Sequence, residues 1–183
     1  KGLTLADKSV RNRIVNESLN AALVSNPSPI YKKSFANRIK TENFEDDMSA
    51  IAACDWIIEV VVERLDIKKS FFAELEALVQ PTAVLVTNTS SLSVTAIAAG
   101  MQHPERFAGY HFFNPVPLMK VVEVIAGLKT SALVCEQLNL FAKQMGHTPV
   151  TARDTPGFIV NHAGRGYGTE ALRIVQESVT DFV

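Results

Sequence analysis

The sequence predicts an α/β fold: a mostly parallel sheet with helices packed against it. Three observations carry this. Short β-branched apolar runs alternate with stretches of helical spacing. Two of those runs are apolar at nearly every position, which suits strands buried on both faces. Their order and lengths are those of crossover-connected sheets, whose connections are right-handed.

From Leu3 to Leu23 apolar residues recur every three or four positions, predicting an amphipathic helix with Arg11, Arg13 and Glu17 on its solvated face. Asn26-Pro27-Ser28-Pro29 stops it. Tyr31 to Lys40 is ambiguous, with a short strand at Ile39 to Thr41 as one reading. Asn43 to Asp47 reads as a polar cap before a short helix at Met48 to Ala53. A buried strand follows at Asp55 to Glu63, then a helix over Leu65 to Leu78 that Pro81 closes. Ala83 to Thr87 is a second buried strand, with a short helix near Val94 to Ala99. Further strands are expected at Phe107 to Phe113, Lys120 to Ile125 and Thr148 to Thr151, with a helix at Ser131 to Met145. Phe158 to Val179 reads as a last helix. Gly164, Gly166 and Gly168 inside it each cost roughly 1 kcal/mol relative to Ala, which predicts close packing there. Their G-x-G-x-G spacing, with no strand leading into it, is not a dinucleotide fingerprint.

With 183 residues, 47% of them hydrophobic, the chain can bury a core without staples. Eighteen basic residues balance nineteen acidic ones, so the electrostatic footprint of a nucleic-acid binder is missing. No apolar run approaches the roughly 20 residues that span a bilayer. Cys54 and Cys135 lack metal-ligand spacing and read as two buried thiols. The first residues carry no secretory signal, so a bacterial cytosol or an organelle matrix is the expected compartment. The absence of an initiator Met points to a fragment.

Ligands of open α/β sheets sit beyond the carboxyl ends of the strands. That rule selects Glu63 and Lys68, then Asn88, Thr89, Ser90 and Ser91, then His111 and Asn114. Glu123 stands out because it interrupts Val121-Val122-Val124-Ile125 with a carboxylate. A buried acid persists only when paired, and an imidazole on a carboxylate is fixed in tautomer and becomes a better base. His111 and Glu123 meet if the chain turns back through Pro115 to Leu118. Otherwise Glu123 is a rim residue and His111 a satisfied strand histidine.

The motifs Asn88-Thr89-Ser90-Ser91-Leu92, Arg106 to Pro115, Val122-Glu123-Val124-Ile125 and Asp154 to Asn161 resemble those of the NAD-dependent 3-hydroxyacyl-CoA dehydrogenases, in the same order and covering about Ala53 to Glu177. The resemblance implies a partial Rossmann-like sheet over residues 1–153 and, over 154–183, the first helix of an all-α domain. It implies oxidation of an (S)-3-hydroxyacyl-CoA to the 3-ketoacyl-CoA, as in fatty-acid β-oxidation, with NAD as hydride acceptor. His111 would be the general base and Glu123 its partner. Ser90 and Asn161 would hold the reacting oxygen, and Glu63, Lys68, Ser90 and Asn114 would contact the cofactor. The complete protein would be a homodimer acting on acyl-CoA, without nucleic-acid or membrane partners.

The departures lie at the ends. The family's first strand, Gly-rich turn and ribose-binding acid have no counterpart here, and no CoA contact is assigned in Lys1 to Asp47. His162 stands where Arg is commoner. The isolated chain is therefore expected to bind NAD weakly and to lack turnover. Two competing readings are a non-catalytic structural relative of the same fold, and a 3-hydroxyacid dehydrogenase, which would use lysine in place of the His/Glu pair. The acid in an apolar strand argues against a mere scaffold.

Overall fold

The computed structural model describes residues 2–180. Five strands, β1 (Trp56–Glu59), β2 (Val84–Thr87), β3 (Phe107–Phe112), β4 (Val121–Ala126) and β5 (Thr148–Ala152), form one sheet in the order β1-β2-β3-β4-β5. Neighbours are parallel except β3 and β4, which run antiparallel. The helices are α1 (Lys8–Arg11), α2 (Arg13–Val24), α3 (Phe44–Asp47), α4 (Leu65–Leu78), α5 (Val94–Ala98), α6 (Ala132–Gln144) and α7 (Val160–Gln176).

Strand alternation sends side chains to two cores. Leu85, Phe107 and Ile125 pack against Phe72 and Leu75 of α4 and Val94 and Ile97 of α5. On the other face Val86, Tyr110, Val122 and Val124 pack against Val134, Leu138 and Ala142 of α6. Tyr110 donates its hydroxyl to the Leu138 carbonyl at 3.1 Å, and burial pushes its pKa up to about 12. Gly109 sets how closely α5 approaches the sheet: a Cβ there would lie 2.8 Å from Val94 Cγ2.

The sheet and crossover helices form where periodicity places them. The N-terminal third does not. The expected first helix is broken at Asn12, which is buried and accepts a 2.5 Å hydrogen bond from Asn43 Nδ2. Arg11 leaves the solvated face to grip Asp46 through two nitrogens at 2.8 and 2.9 Å, while Arg13 and Glu17 stay outside. Residues 39–41 form no strand and follow a 3₁₀ turn over Lys33–Arg38. Asn43 caps a helix of its own, α3, accepting from the Glu45 and Asp46 N–H groups, and Met48–Ala53 is 3₁₀ rather than α.

Three more expectations fail. β1 is an edge strand of four residues, and Val60 and Val62 beyond it are exposed. Cys54 is exposed and Cys135 only half-buried, with burial pushing its thiol pKa up. No residue of α7 is buried and nothing lies within 4 Å of a Cβ built on Gly164, Gly166 or Gly168, so the close packing expected there is not met among the described residues.

Candidate active site

The antiparallel register sets His111 on β3 opposite Glu123 on β4, both turned to the α5 side of the sheet. His111 Nδ1 lies 2.7 Å from Glu123 Oε2, with Glu123 fully buried and His111 4% exposed. The second carboxylate oxygen is used too. Oε1 accepts the N–H groups of Ile159 and Val160, each at 2.9 Å, at the start of α7. A carboxylate at a helix N-terminus meets the positive end of the helix dipole as well as two donors. Asn161 follows on the first turn of α7, half-buried. Of the two readings of Glu123 the paired one holds.

A second polar cluster forms at the carboxyl ends of β1 and β2. Glu63 Oε1 accepts the Ser90 and Ser91 N–H groups at 3.0 and 3.2 Å, the Ser91 hydroxyl and the Thr89 hydroxyl. Burial pushes the Glu63 carboxyl up, but Thr89, the Ser90 N–H and Lys68 outweigh it and hold the group below the usual range. Ser90 itself is exposed, and Asn114 is exposed on the turn after β3. Asn88 ties the end of β2 to the end of β3 by accepting the Phe112 N–H at 2.9 Å.

Lys68 lies beneath this cluster rather than at its surface. It is 1% exposed, and its ammonium lies 2.7 Å from Glu59, 3.2 Å from the Val61 carbonyl and 3.3 Å from Glu63. All three partners are the chain's own oxygens. Glu59, whose other oxygen accepts the Thr87 hydroxyl at 2.7 Å, escaped the sequence reading. Its signal was the one that exposed Glu123, an acid inside a β-branched run. Asp154 was missed as well: it accepts from Ser93, Val94 and Thr95 at 2.8–2.9 Å and ties the start of α5 to the segment before α7. Burial pushes the Asp154 carboxyl up, but these hydrogen bonds overcome it and hold it below its ordinary value.

Among the described residues no helix is long and apolar enough to cross a membrane, and no cluster of His, Cys, Asp and Glu suits a metal ion. The exposed groups at the strand ends are a carboxylate edge, a serine and an amide. Such groups fit the hydroxyl- and amide-bearing part of a dinucleotide. The Ser90 and Ser91 N–H groups are engaged by Glu63, so they do not form a free anion cradle for its pyrophosphate.

Sheet and pair together define an open α/β protein with a buried histidine–glutamate pair at its strand ends. The chain belongs to the 3-hydroxyacyl-CoA dehydrogenase family: the model of that family's NAD-binding domain matches residues 5–155. It is 52% identical over 133 residues to 3-hydroxyadipyl-CoA dehydrogenase of Escherichia coli, covering 73% of this chain and 28% of that protein. The human mitochondrial hydroxyacyl-coenzyme A dehydrogenase is 40% identical over 159 residues, 80% of this chain and 51% of that one. The crystal structure of 3-hydroxybutyryl-CoA dehydrogenase from Escherichia coli superposes with a TM-score of 0.79 at 42% identity, over 92% of this chain and 35% of that one. That of (S)-3-hydroxybutyryl-CoA dehydrogenase from Ralstonia eutropha gives 0.78 at 31% identity, over 97% and 62%. The chain thus spans about a quarter to a half of the two curated relatives.

Proposed function

We propose that this chain carries the base and part of the cofactor site of an enzyme that oxidises (S)-3-hydroxyacyl-CoA to 3-ketoacyl-CoA with NAD. The observation that carries the reading is the 2.7 Å His111–Glu123 contact, with Glu123's other oxygen held by two N–H groups. An anionic acceptor at that distance keeps a proton on Nδ1, so Nε2 presents its lone pair. A 3-hydroxyl group within reach of Nε2 gives up its proton there as its carbon is oxidised. Glu123 favours the imidazolium that results. When bound, NAD supplies the hydride acceptor. Ser90 and Asn161 hold the reacting oxygen, and Glu63, Ser90 and Asn114 meet the cofactor. Lys68 acts through Glu63 rather than by touching ligand. Residues 1–153 form the nucleotide-binding part, and α7 begins a second, helical part. In this reading the complete protein is a homodimer serving acyl-CoA degradation such as β-oxidation.

One observation favours the structural-relative alternative. Glu123 caps α7, so a scaffold does have a reason to keep a buried acid on β4, and the sequence argument against that alternative loses its force. His111 then decides, since capping α7 does not require an imidazole. The experiment is an NADH absorbance assay on the full-length protein with NAD and (S)- or (R)-3-hydroxybutyryl-CoA. The (S) isomer is expected to yield NADH and the (R) isomer none. Absence of NADH from (S)-3-hydroxyacyl-CoA substrates of every chain length tried would overturn the reading.

A further inference from the structure

We infer that Phe158 is a positioning residue for His111, an inference that rests on the reading of His111 as the base. The tether at Cβ and the bond from Nδ1 to Glu123 fix two points of the imidazole and leave the ring to tilt about the line that joins them. Two aromatic walls close the remaining freedom. Phe113 lies 4.5 Å from the imidazole, centroid to centroid, and tilted by 60°. Phe158 meets it at 5.6 Å and 62°.

Phe113 arrives as the near neighbour of His111 in sequence, whereas Phe158 is brought in by a turn of unusual backbone. Gly157 has φ 78° and Phe158 has φ 48°. A bulky side chain rarely adopts that region, and such a conformation persists only where its surroundings over-determine it. Here one turn does two things. It sets the Phe158 ring, 4% exposed, against His111, and it sends the next two N–H groups to Glu123 Oε1. Glycine would make the backbone turn without strain but would remove the ring. The left-handed phenylalanine therefore ties the orientation of the imidazole to the same turn that holds its carboxylate. A purely structural role is the competing account, because Phe158 also belongs to the α4/α5 core.

The test reads His111 directly. Long-range proton–nitrogen correlations of the four imidazoles are recorded on the labelled chain, with His111 assigned through His111→Gln. The wild type is expected to show His111 as a single Nδ1-protonated tautomer with narrow signals. In Phe158→Gly the His111 pattern averages or broadens while the other three histidines keep theirs, and Phe158→Leu, which restores apolar volume without a ring, recovers it in part. In the full-length enzyme Phe158→Gly lowers kcat about ten- to a hundredfold, the scale of a small misplacement of a reacting group. KM stays within about twofold, since no ground-state contact is removed. An unchanged His111 pattern in Phe158→Gly overturns the inference whatever turnover does. Should that variant fail to fold, an unchanged pattern in Phe158→Leu overturns it equally, and failure of both variants to fold makes Phe158 a core residue only. A His111 pattern perturbed in Phe158→Gly, in a protein whose wild type shows no dehydrogenase turnover, would support the positioning role and overturn the proposed activity instead.

Discussion

Glu59 and Glu123 are both carboxylates buried in strands on the same face of one sheet, and their partners set them apart. Glu59 meets an ammonium, a hydroxyl and the Val61 N–H, and that ammonium is enclosed by Glu59, Glu63 and the Val61 carbonyl. Both oxygens of Glu59 and the Lys68 ammonium are engaged inside the chain, and neither group keeps an atom free to exchange a proton. Glu123 meets an imidazole and two backbone N–H groups, and the imidazole keeps a second nitrogen. Burial of an acid is therefore not what marks chemistry. The mark is a titratable partner with an unspent atom.

The comparison breaks most visibly at Lys68. Lys68→Met strands a buried carboxylate and is expected to lower unfolding free energy by about 3–5 kcal/mol in urea. Adding Glu59→Gln should recover most of that, because the uncompensated charge is gone. A single variant losing less than about 1 kcal/mol would mean the pair is not held out of water as described. Glu123→Gln is expected to be milder in stability, about 1–2 kcal/mol, since the amide oxygen still accepts from α7, while the amide NH2 placed opposite Nδ1 removes the acceptor that holds the imidazole in its tautomer. Its cost falls on turnover instead, so a stability loss equal to that of Lys68→Met would erase the distinction.

The smallest effect concerns Asp154, whose carboxyl is held below its ordinary value of 3.8 in the folded chain. A depressed acid stabilises the fold above its unfolded value, and this contribution is lost as the pH falls through the folded one. Thermal midpoints should therefore fall on acidification below about pH 4. Asp154→Asn should flatten part of that fall and leave the slope between pH 5 and 7 unchanged. An acid limb identical to the wild type would show that the tie between α5 and the segment before α7 does not titrate.

Much of this arrangement was legible because it is periodic. α4, α6 and the strands repeat apolar residues at helical or continuous spacing, and the motifs around His111 and Glu123 lie on them. The burial of Lys68 was not foreseen, although it lies four and seven positions before Phe72 and Leu75 and so on the buried face of α4. What hid it was the partner, since a lysine on an apolar face makes sense only once β1 brings Glu59 beneath it. Asp154 was hidden by distance: its three partners on α5 lie 59 to 61 residues earlier, and no local pattern encodes such a contact. The break at Asn12 belongs to the same class, because its partners are Thr41 and Asn43. The glycines of α7 find no neighbour among the described residues.

The central claim is that His111 takes the proton and Glu123 only holds it ready. Measuring kcat and NAD affinity of His111→Gln in the full-length protein tests it most directly. Turnover is expected to fall by about 10²–10⁴, the range for loss of a positioned general base, with NAD affinity unchanged. A variant that turns over at close to the wild-type rate would remove His111 from the chemistry and leave the pair on β3 and β4 as a cap for α7.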